Sequence, residues 1–231
     1  MGFTLNNIYT GMSIPREFVE RLQDFSRIAY FVETGTAGGE SVAWAKGHFD
    51  ECWTIELLEN REITKVEGVN YVQGNTVDHL PAILECDKLK DKETPIFFWL
   101  DAHYCEPVPD ISDNKECYLL EELSIIRDRN NSIVMIDDAR LFAGPPPYPN
   151  DPRDWPRLDE IFAKLKECFP HHYTTIVDDY IICVPQSFIP IVDDEWTQNY
   201  KKRYRSEATI LHESVKRSYE AFMKYMEIDI A

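Results

Sequence analysis

The chain has 231 residues, 44% of them hydrophobic and 13% aromatic, enough apolar surface for one sizeable core. Its 41 Asp and Glu outnumber 24 Lys and Arg, a formal net charge of −17; this offers no basic footprint for DNA or RNA, and nucleic acid is excluded as a partner. No apolar run approaches the ~20 residues of a membrane helix. Six cysteines without a C-x-x-C pair or a secretory leader are expected to be reduced thiols of a cytoplasmic protein, with no membrane partner.

Residues 1–14 are polar and irregular, an arm suited to covering a ligand. Pro15 suits a helix start, and Phe18, Val19, Leu22, Phe25 and Ile28–Ala29 recur at helical spacing. The first strand runs into Phe31–Ser41, FVETGTAGGES. There Glu33 sits at the strand's carboxyl end, Gly35, Gly38 and Gly39 make a tight turn, and Ser41 opens a helix to His48. Cys52–Leu57 is predicted as the second strand, Leu58–Val66 as a helix, and Val69–Gln73 as the third strand, ending in Gly74-Asn75-Thr76. Leu80–Leu89 is expected to be a helix started by Pro81. Pro95–Leu100 is an unbroken apolar run, typical of a parallel strand buried on both faces, and it ends in Asp101-Ala102-His103-Tyr104. The polar stretch 105–116, with two prolines, reads as a lid.

Tyr118–Arg129 follows as an amphipathic helix on which Glu121 and Glu122 are expected to be solvated. Ser132–Ile136 is a fifth strand, ending in Asp137-Asp138. Gly144–Pro156 is too rich in proline for helix or strand. A helix over Leu158–Phe169 then leads to a hairpin, Tyr173–Val177 with Tyr180–Val184, turning at Asp178-Asp179. His171 and His172 are expected at the surface. Asp194–Met226 reads as a helical tail.

A glycine turn after a parallel strand lets backbone N–H groups approach a ligand, because glycine has no Cβ and tolerates φ > 0. This one lacks the glycines of G-x-G-x-x-G and the Lys of a P-loop. Glu33, two residues before its first glycine, would repel a pyrophosphate and suits a cationic amino-acid ligand. With Glu33, Gly35 and Gly39 in place and Ala37 departing at the middle glycine, the chain resembles class I S-adenosylmethionine-dependent methyltransferases. The E-x-G-x-x-x-G-x-S pattern is closest to their catechol-type and sugar-directed, metal-dependent O-methyltransferases. The resemblance covers roughly 31–184.

It implies an α/β fold: a doubly wound Rossmann-like sheet of order 3-2-1-4-5-7-6, strand 7 antiparallel, with helices on both faces. The expected division is an N-terminal arm and helix over 1–30, the cofactor-binding domain over 31–185 and a helical extension over 186–231. Glu33, Gly35, Thr36, Gly39, Ser41, Glu56, Asn75, Thr76 and Asp101 are the implied cofactor-binding residues, Glu56 being the acid that takes the ribose hydroxyls.

Asp101, Asp137 and Asp138 end strands four and five, and three convergent carboxylates repel unless a cation joins them. Oxygen ligands suit Mg²⁺, and LDAHY and IDDAR match the family's metal positions. Where the catechol-type enzymes carry a Lys, this chain has Tyr104. Asp101 and His103 are therefore the candidates for proton abstraction in transfer to a hydroxyl. The expected acceptor is a small molecule such as a saccharide or other vicinal diol, and the aromatic tail is a candidate homodimer contact. Two other readings use the same residues: a metal-independent N- or carboxyl-directed methyltransferase, and a non-catalytic nucleotide-binding or assembly protein.

Overall fold

The computed structural model describes residues 14–59, 62–103, 115–148 and 150–201. Seven strands make one sheet: β1 (Tyr30–Thr34), β2 (Glu51–Glu56), β3 (Val69–Gln73), β4 (Ile96–Leu100), β5 (Ile133–Ile136), β6 (His172–Val177) and β7 (Tyr180–Pro185). Their order is β3-β2-β1-β4-β5-β7-β6. The first five are parallel, whereas β7 runs antiparallel to both β5 and β6. This is the predicted order and the predicted reversal. All five residues of β4, IFFWL, are buried, because helices cover both faces of a central parallel strand. Phe31 and Phe97 stack at 5.9 Å across the β1–β4 pair, with Phe49 against both.

Helix α1 (Arg16–Phe25) buries Phe18, Val19 and Leu22. It stops before Ile28–Ala29, which were expected to continue it. Gln23 folds back on the exit, its Oε1 accepting from the Ile28 N–H at 2.7 Å and its Nε2 donating to the Ile28 carbonyl at 3.0 Å. Helix α2 (Glu40–Ala45) follows the glycine turn. Among the described residues no helix joins β2 to β3, contrary to the expectation over Leu58–Val66. Instead the Thr64 N–H donates to the Gly38 carbonyl at 3.3 Å and the Val66 N–H to the Tyr71 hydroxyl at 2.9 Å. β-Branched Ile63, Thr64 and Val66 favour this extended path, which lays the segment across the glycine turn.

Helix α3 (Thr76–Leu84) begins four residues earlier than predicted. Asn75 caps it, accepting from the Val77 N–H at 3.2 Å, so Pro81 falls inside the helix rather than at its start. Helix α4 (Leu119–Ile125) ends short of Arg129. That side chain is buried and donates to the carbonyls of Leu89 (2.7 Å), Asp91 (3.3 Å) and Leu84 (3.5 Å), collecting acceptors left open beyond α3. Helix α5 (Leu158–Cys168) packs before the hairpin. His172 also departs from expectation: it is half-buried and its Nε2 lies 3.0 Å from the Ser132 carbonyl.

The chain divides into two compact units, Met1–Ile191 and Val192–Ala231. The second is described only over 192–201, which is helical. Residues 1–13, Tyr104, most of the expected lid and the tail from 202 onward lie outside the described residues, and with them most of the proposed homodimer contact. No described helix is long and apolar enough to cross a membrane.

Candidate functional site

Successive residues of a strand face opposite sides of the sheet, and β1 uses both. Glu33 pairs with Thr54 of β2 and is buried. The Thr54 hydroxyl donates to Glu33 Oε2 at 2.6 Å, and the Thr36 and Thr54 hydroxyls lie 2.6 Å apart. Since Thr54 spends its one proton on Glu33, Thr36 donates to Thr54, which gives a directed chain Thr36→Thr54→Glu33. Glu33 Oε1 is buried and has no hydrogen-bond partner. Burial above all, opposed by the Thr54 hydrogen bond and aided by the Glu56 and Glu40 charges, pushes the Glu33 carboxyl up to about 8.

Thr34 points the other way, its hydroxyl 3.4 Å from Glu122 Oε2. The Thr76 hydroxyl donates to Glu122 Oε1 at 2.5 Å. Glu122 is buried rather than solvated, and burial pushes it up to about 7 against those two hydroxyls. Its position was readable. Leu119, Glu122, Leu123 and Ile126 fall at i, i+3, i+4 and i+7, so Glu122 sits on the apolar stripe of α4.

The glycine turn takes three left-handed residues, Gly35 (φ +81°), Ala37 (φ +46°) and Gly39 (φ +90°). A Cβ on Gly35 would stand 2.4 Å from the Asp101 carbonyl oxygen, so this turn and the end of β4 meet only with glycine there. Ala37 holds a conformation unusual for a residue with a Cβ because its N–H donates to Glu56 Oε2 at 3.0 Å. Glu56 Oε1 accepts from the Leu58 N–H, also at 3.0 Å. Expected as a ribose ligand, Glu56 thus also fixes the turn, and each oxygen keeps a second lone pair for a hydroxyl. Ser41 is half-buried on α2. Asn75 and Thr76 serve α3 and Glu122 through the contacts described above.

At the other half of the crevice, Asp101, His103 and Asp138 each place a ligand-type atom within 4.8 Å of the others. His103 Nε2 lies 3.0 Å from Asp138 Oδ2, and Nδ1 lies 3.8 Å from Asp101 Oδ1. Its ring, 3% exposed, is wedged edge-on against Phe142 (5.7 Å) and Trp155 (5.3 Å). Asp137, expected as the third carboxylate, does not join this group. It is buried, with Oδ1 accepting from the Asp138 N–H at 2.7 Å, and its charge, the first cause after burial to raise Asp101, still acts on the group. His103 stands in its place.

Asp138 is left-handed (φ +55°) and also meets Arg140 Nη1 at 2.7 Å. Burial raises its carboxyl, but the hydrogen bonds and charges of His103 and Arg140 outweigh it and bring it down to about 2. Asp101 moves the opposite way: burial and then the Asp137 and Asp138 charges raise it. Arg140 itself is held by Asp179, which pairs with the guanidinium and accepts from the Arg140 N–H at 3.0 Å. The sequence suggested only a hairpin turn for Asp179.

A partnerless carboxylate oxygen beneath a glycine turn fits the ammonium of an amino-acid cofactor. Two carboxylates with an imidazole fit a divalent cation, the nitrogen extending the choice beyond Mg²⁺ to Mn²⁺ or Fe²⁺.

No protein-family model matches the chain, and no curated protein matches its sequence. Solved structures do. The MycE methyltransferase of the mycinamycin biosynthetic pathway, in complex with Mg and SAH, aligns with a TM-score of 0.50 at 9% identity, over 73% of this chain and 48% of that one. A Staphylococcus aureus protein described as a caffeoyl-CoA O-methyltransferase aligns at 0.45 and 14% identity, over 73% and 81%. Human methyltransferase-like protein 13 with SAH aligns at 0.45 and 12%, over 76% and 82%. At such identities the likeness is one of architecture: the chain has the seven-stranded Rossmann-like fold of S-adenosylmethionine-dependent methyltransferases.

Proposed function

We propose that the chain is an S-adenosylmethionine-dependent O-methyltransferase acting on a hydroxyl of a small acceptor, with a divalent cation, Mg²⁺ in the first instance, at the β4–β5 edge. The observation that carries the reading is Glu33 Oε1, buried and unpartnered at the carboxyl end of β1. Glu33 would take the cofactor's ammonium, Gly35 and Gly39 its close backbone approach, and Glu56 its ribose hydroxyls.

S-adenosylmethionine, when bound, supplies a methyl group on a sulfonium, already a good leaving group. The protein's share is alignment and removal of the acceptor proton; alignment alone contributes up to ~7–11 kcal/mol in favourable cases. Asp138 takes the Nε2–H of His103, which leaves Nδ1, on the Asp101 side, as the atom able to accept that proton. Asp101 and Asp138 would hold the cation through their carboxylate oxygens, leaving the His103 Nδ1 lone pair for the proton; the cation's Lewis acidity would lower the pKa of an acceptor hydroxyl. Asp137 supports this group through the Asp138 N–H.

Calorimetric titration with S-adenosylhomocysteine tests the cofactor reading. Wild-type protein is expected to bind it and Glu56→Ala to lose at least about tenfold in affinity, or ~1.4 kcal/mol. Absence of binding by the wild type would end the reading. Methyl transfer abolished by EDTA and restored by Mg²⁺ or Mn²⁺ would support the cation, whereas activity indifferent to EDTA would favour the metal-independent enzyme.

A further inference from the structure

Asp138 is already met by a cationic side chain. Its Oδ2 lies 3.0 Å from His103 Nε2 and its Oδ1 lies 2.7 Å from Arg140 Nη1, so both carboxylate oxygens are engaged. The Arg140 guanidinium stands between two carboxylates, because the same Nη1 also pairs with Asp179 Oδ2. Asp179 holds the backbone there as well. Its Oδ1 accepts from the Arg140 N–H at 3.0 Å, and its carbonyl accepts from the Ala139 N–H at 2.8 Å. The two carboxylates differ in burial: the Asp138 side chain is 5% exposed, whereas those of Arg140 and Asp179 are 31% and 25% exposed.

We infer that Arg140 is the resident counter-cation of the β4–β5 edge: it neutralises Asp138 in the cation-free protein and yields that carboxylate to a divalent cation by shifting wholly onto Asp179. The inference rests on the cation reading of Asp101 and Asp138. A dication and a guanidinium on one carboxylate repel each other. A lysine or histidine could escape by losing a proton, but a guanidinium does not deprotonate in proteins, so it must move or compete. Asp179 supplies the place to move to, already paired with the same nitrogen. The partial exposure of Arg140 and Asp179 leaves that pair room to turn toward solvent while the Arg140 backbone stays bound to Asp179. Parting Arg140 from Asp138 subtracts from the cation's binding free energy, so the cation is held loosely and exchanges readily. In return, the acids at the ends of β4 and β5 do not face one another uncompensated when no cation is bound.

The test is titration of the full chain with Mn²⁺, a paramagnetic stand-in for Mg²⁺ at oxygen ligands, followed by loss of the free-ion EPR signal. No cofactor or acceptor is present. A chain of net charge −17 collects Mn²⁺ at other acids too, so only the binding that Asp101→Asn abolishes is counted. Arg140→Met keeps the apolar stem and removes the charge, whereas Arg140→Lys keeps a charge. Asp179→Asn keeps the arginine and removes its second carboxylate.

Arg140→Met is expected to bind Mn²⁺ at least about tenfold more tightly than wild type, and Arg140→Lys to stay within about threefold of it. Asp179→Asn is expected to bind at least about tenfold more weakly, and to change affinity little when Arg140→Met is already present. Thermal melting gives a second readout: Arg140→Met should melt below wild type in EDTA and gain more in Tm at the same Mn²⁺ concentration. Equal or weaker affinity in Arg140→Met would overturn the inference and leave the cation reading standing. Asp179→Asn at wild-type affinity would overturn it even if Arg140→Met does not fold. No Asp101-dependent Mn²⁺ binding in either the wild type or Arg140→Met would remove the cation reading, and the inference with it.

Discussion

Two pairs of strand-end acids face the same crevice and are held by opposite means. At β1–β2, Glu33 and Glu56 are surrounded by a threonine hydroxyl and backbone N–H groups, and no cationic side chain is hydrogen-bonded to either among the described residues. At β4–β5, Asp138 is held by an imidazole and a guanidinium. The result is a pair of carboxyls moved apart, Glu33 up to about 8 and Asp138 down to about 2. Neutral donors leave the first acid short of positive charge, as a site awaiting a cationic ligand requires. The second has its counter-charges built in, and its geometry is set before any ligand arrives.

The sharpest way to break this contrast is pH. The Glu33 pKa in the folded chain lies above its ordinary 4.5, so the folded state keeps a proton that the unfolded chain gives up. That contribution to stability is whole below pH 4.5 and is lost as pH rises through about 8. Glu122 acts in the same sense up to about 7. Glu33→Gln should therefore be more stable than wild type at pH 9, by up to ~4 kcal/mol, with the advantage shrinking toward pH 5. Urea unfolding at the two pH values measures it, and a difference independent of pH would show that Glu33 is already ionised.

Asp138→Ala leaves His103 and Arg140 facing one another without their carboxylate. A loss of ~3 kcal/mol in unfolding free energy is expected, with Asp138→Asn retaining part of it. Thr54→Val keeps the shape of β2 but removes the hydroxyl between Thr36 and Glu33, and should cost ~1–2 kcal/mol in the same assay. Smallest is Ala37→Gly, which relieves a left-handed alanine and should stabilise by roughly 1 kcal/mol as a rise in Tm. A fall in Tm there would mean that the Glu56 contact fixes the turn less firmly than its 3.0 Å hydrogen bond suggests.

The parts of this molecule written in local patterns were legible. Glycines at a strand end, the unbroken IFFWL run and acids closing successive strands carry the resemblance, and it is the resemblance that implies the sheet order and the crevice. Features decided by tertiary partners were not. Asn75 outcompeted Pro81 for the start of α3 because a cap is worth more than a preset φ. The segment before β3 lost its predicted helix to hydrogen bonds with Gly38 and Tyr71. His103 replaced Asp137 in the acidic group because the left-handed backbone at Asp138 turns two neighbouring carboxylates to different surroundings. Glu122 is the exception, since its helical spacing announced burial and its charge argued against it.

The hold of Asp179 on Arg140 has a consequence for how the protein is made. Asp179 lies in the turn of the last hairpin, its carbonyl accepting from the Ala139 N–H at 2.8 Å and its carboxylate taking the Arg140 side chain. During synthesis the glycine turn and the first five strands leave the ribosome before that hairpin exists. Among the described residues, the hydrogen bonds of the Glu33 and Glu56 carboxylates all come from residues before β3, whereas the contacts of Arg140 wait for a residue some forty positions downstream. The surroundings of Glu33 and Glu56 are thus complete in the chain well before those of Asp138 and Arg140.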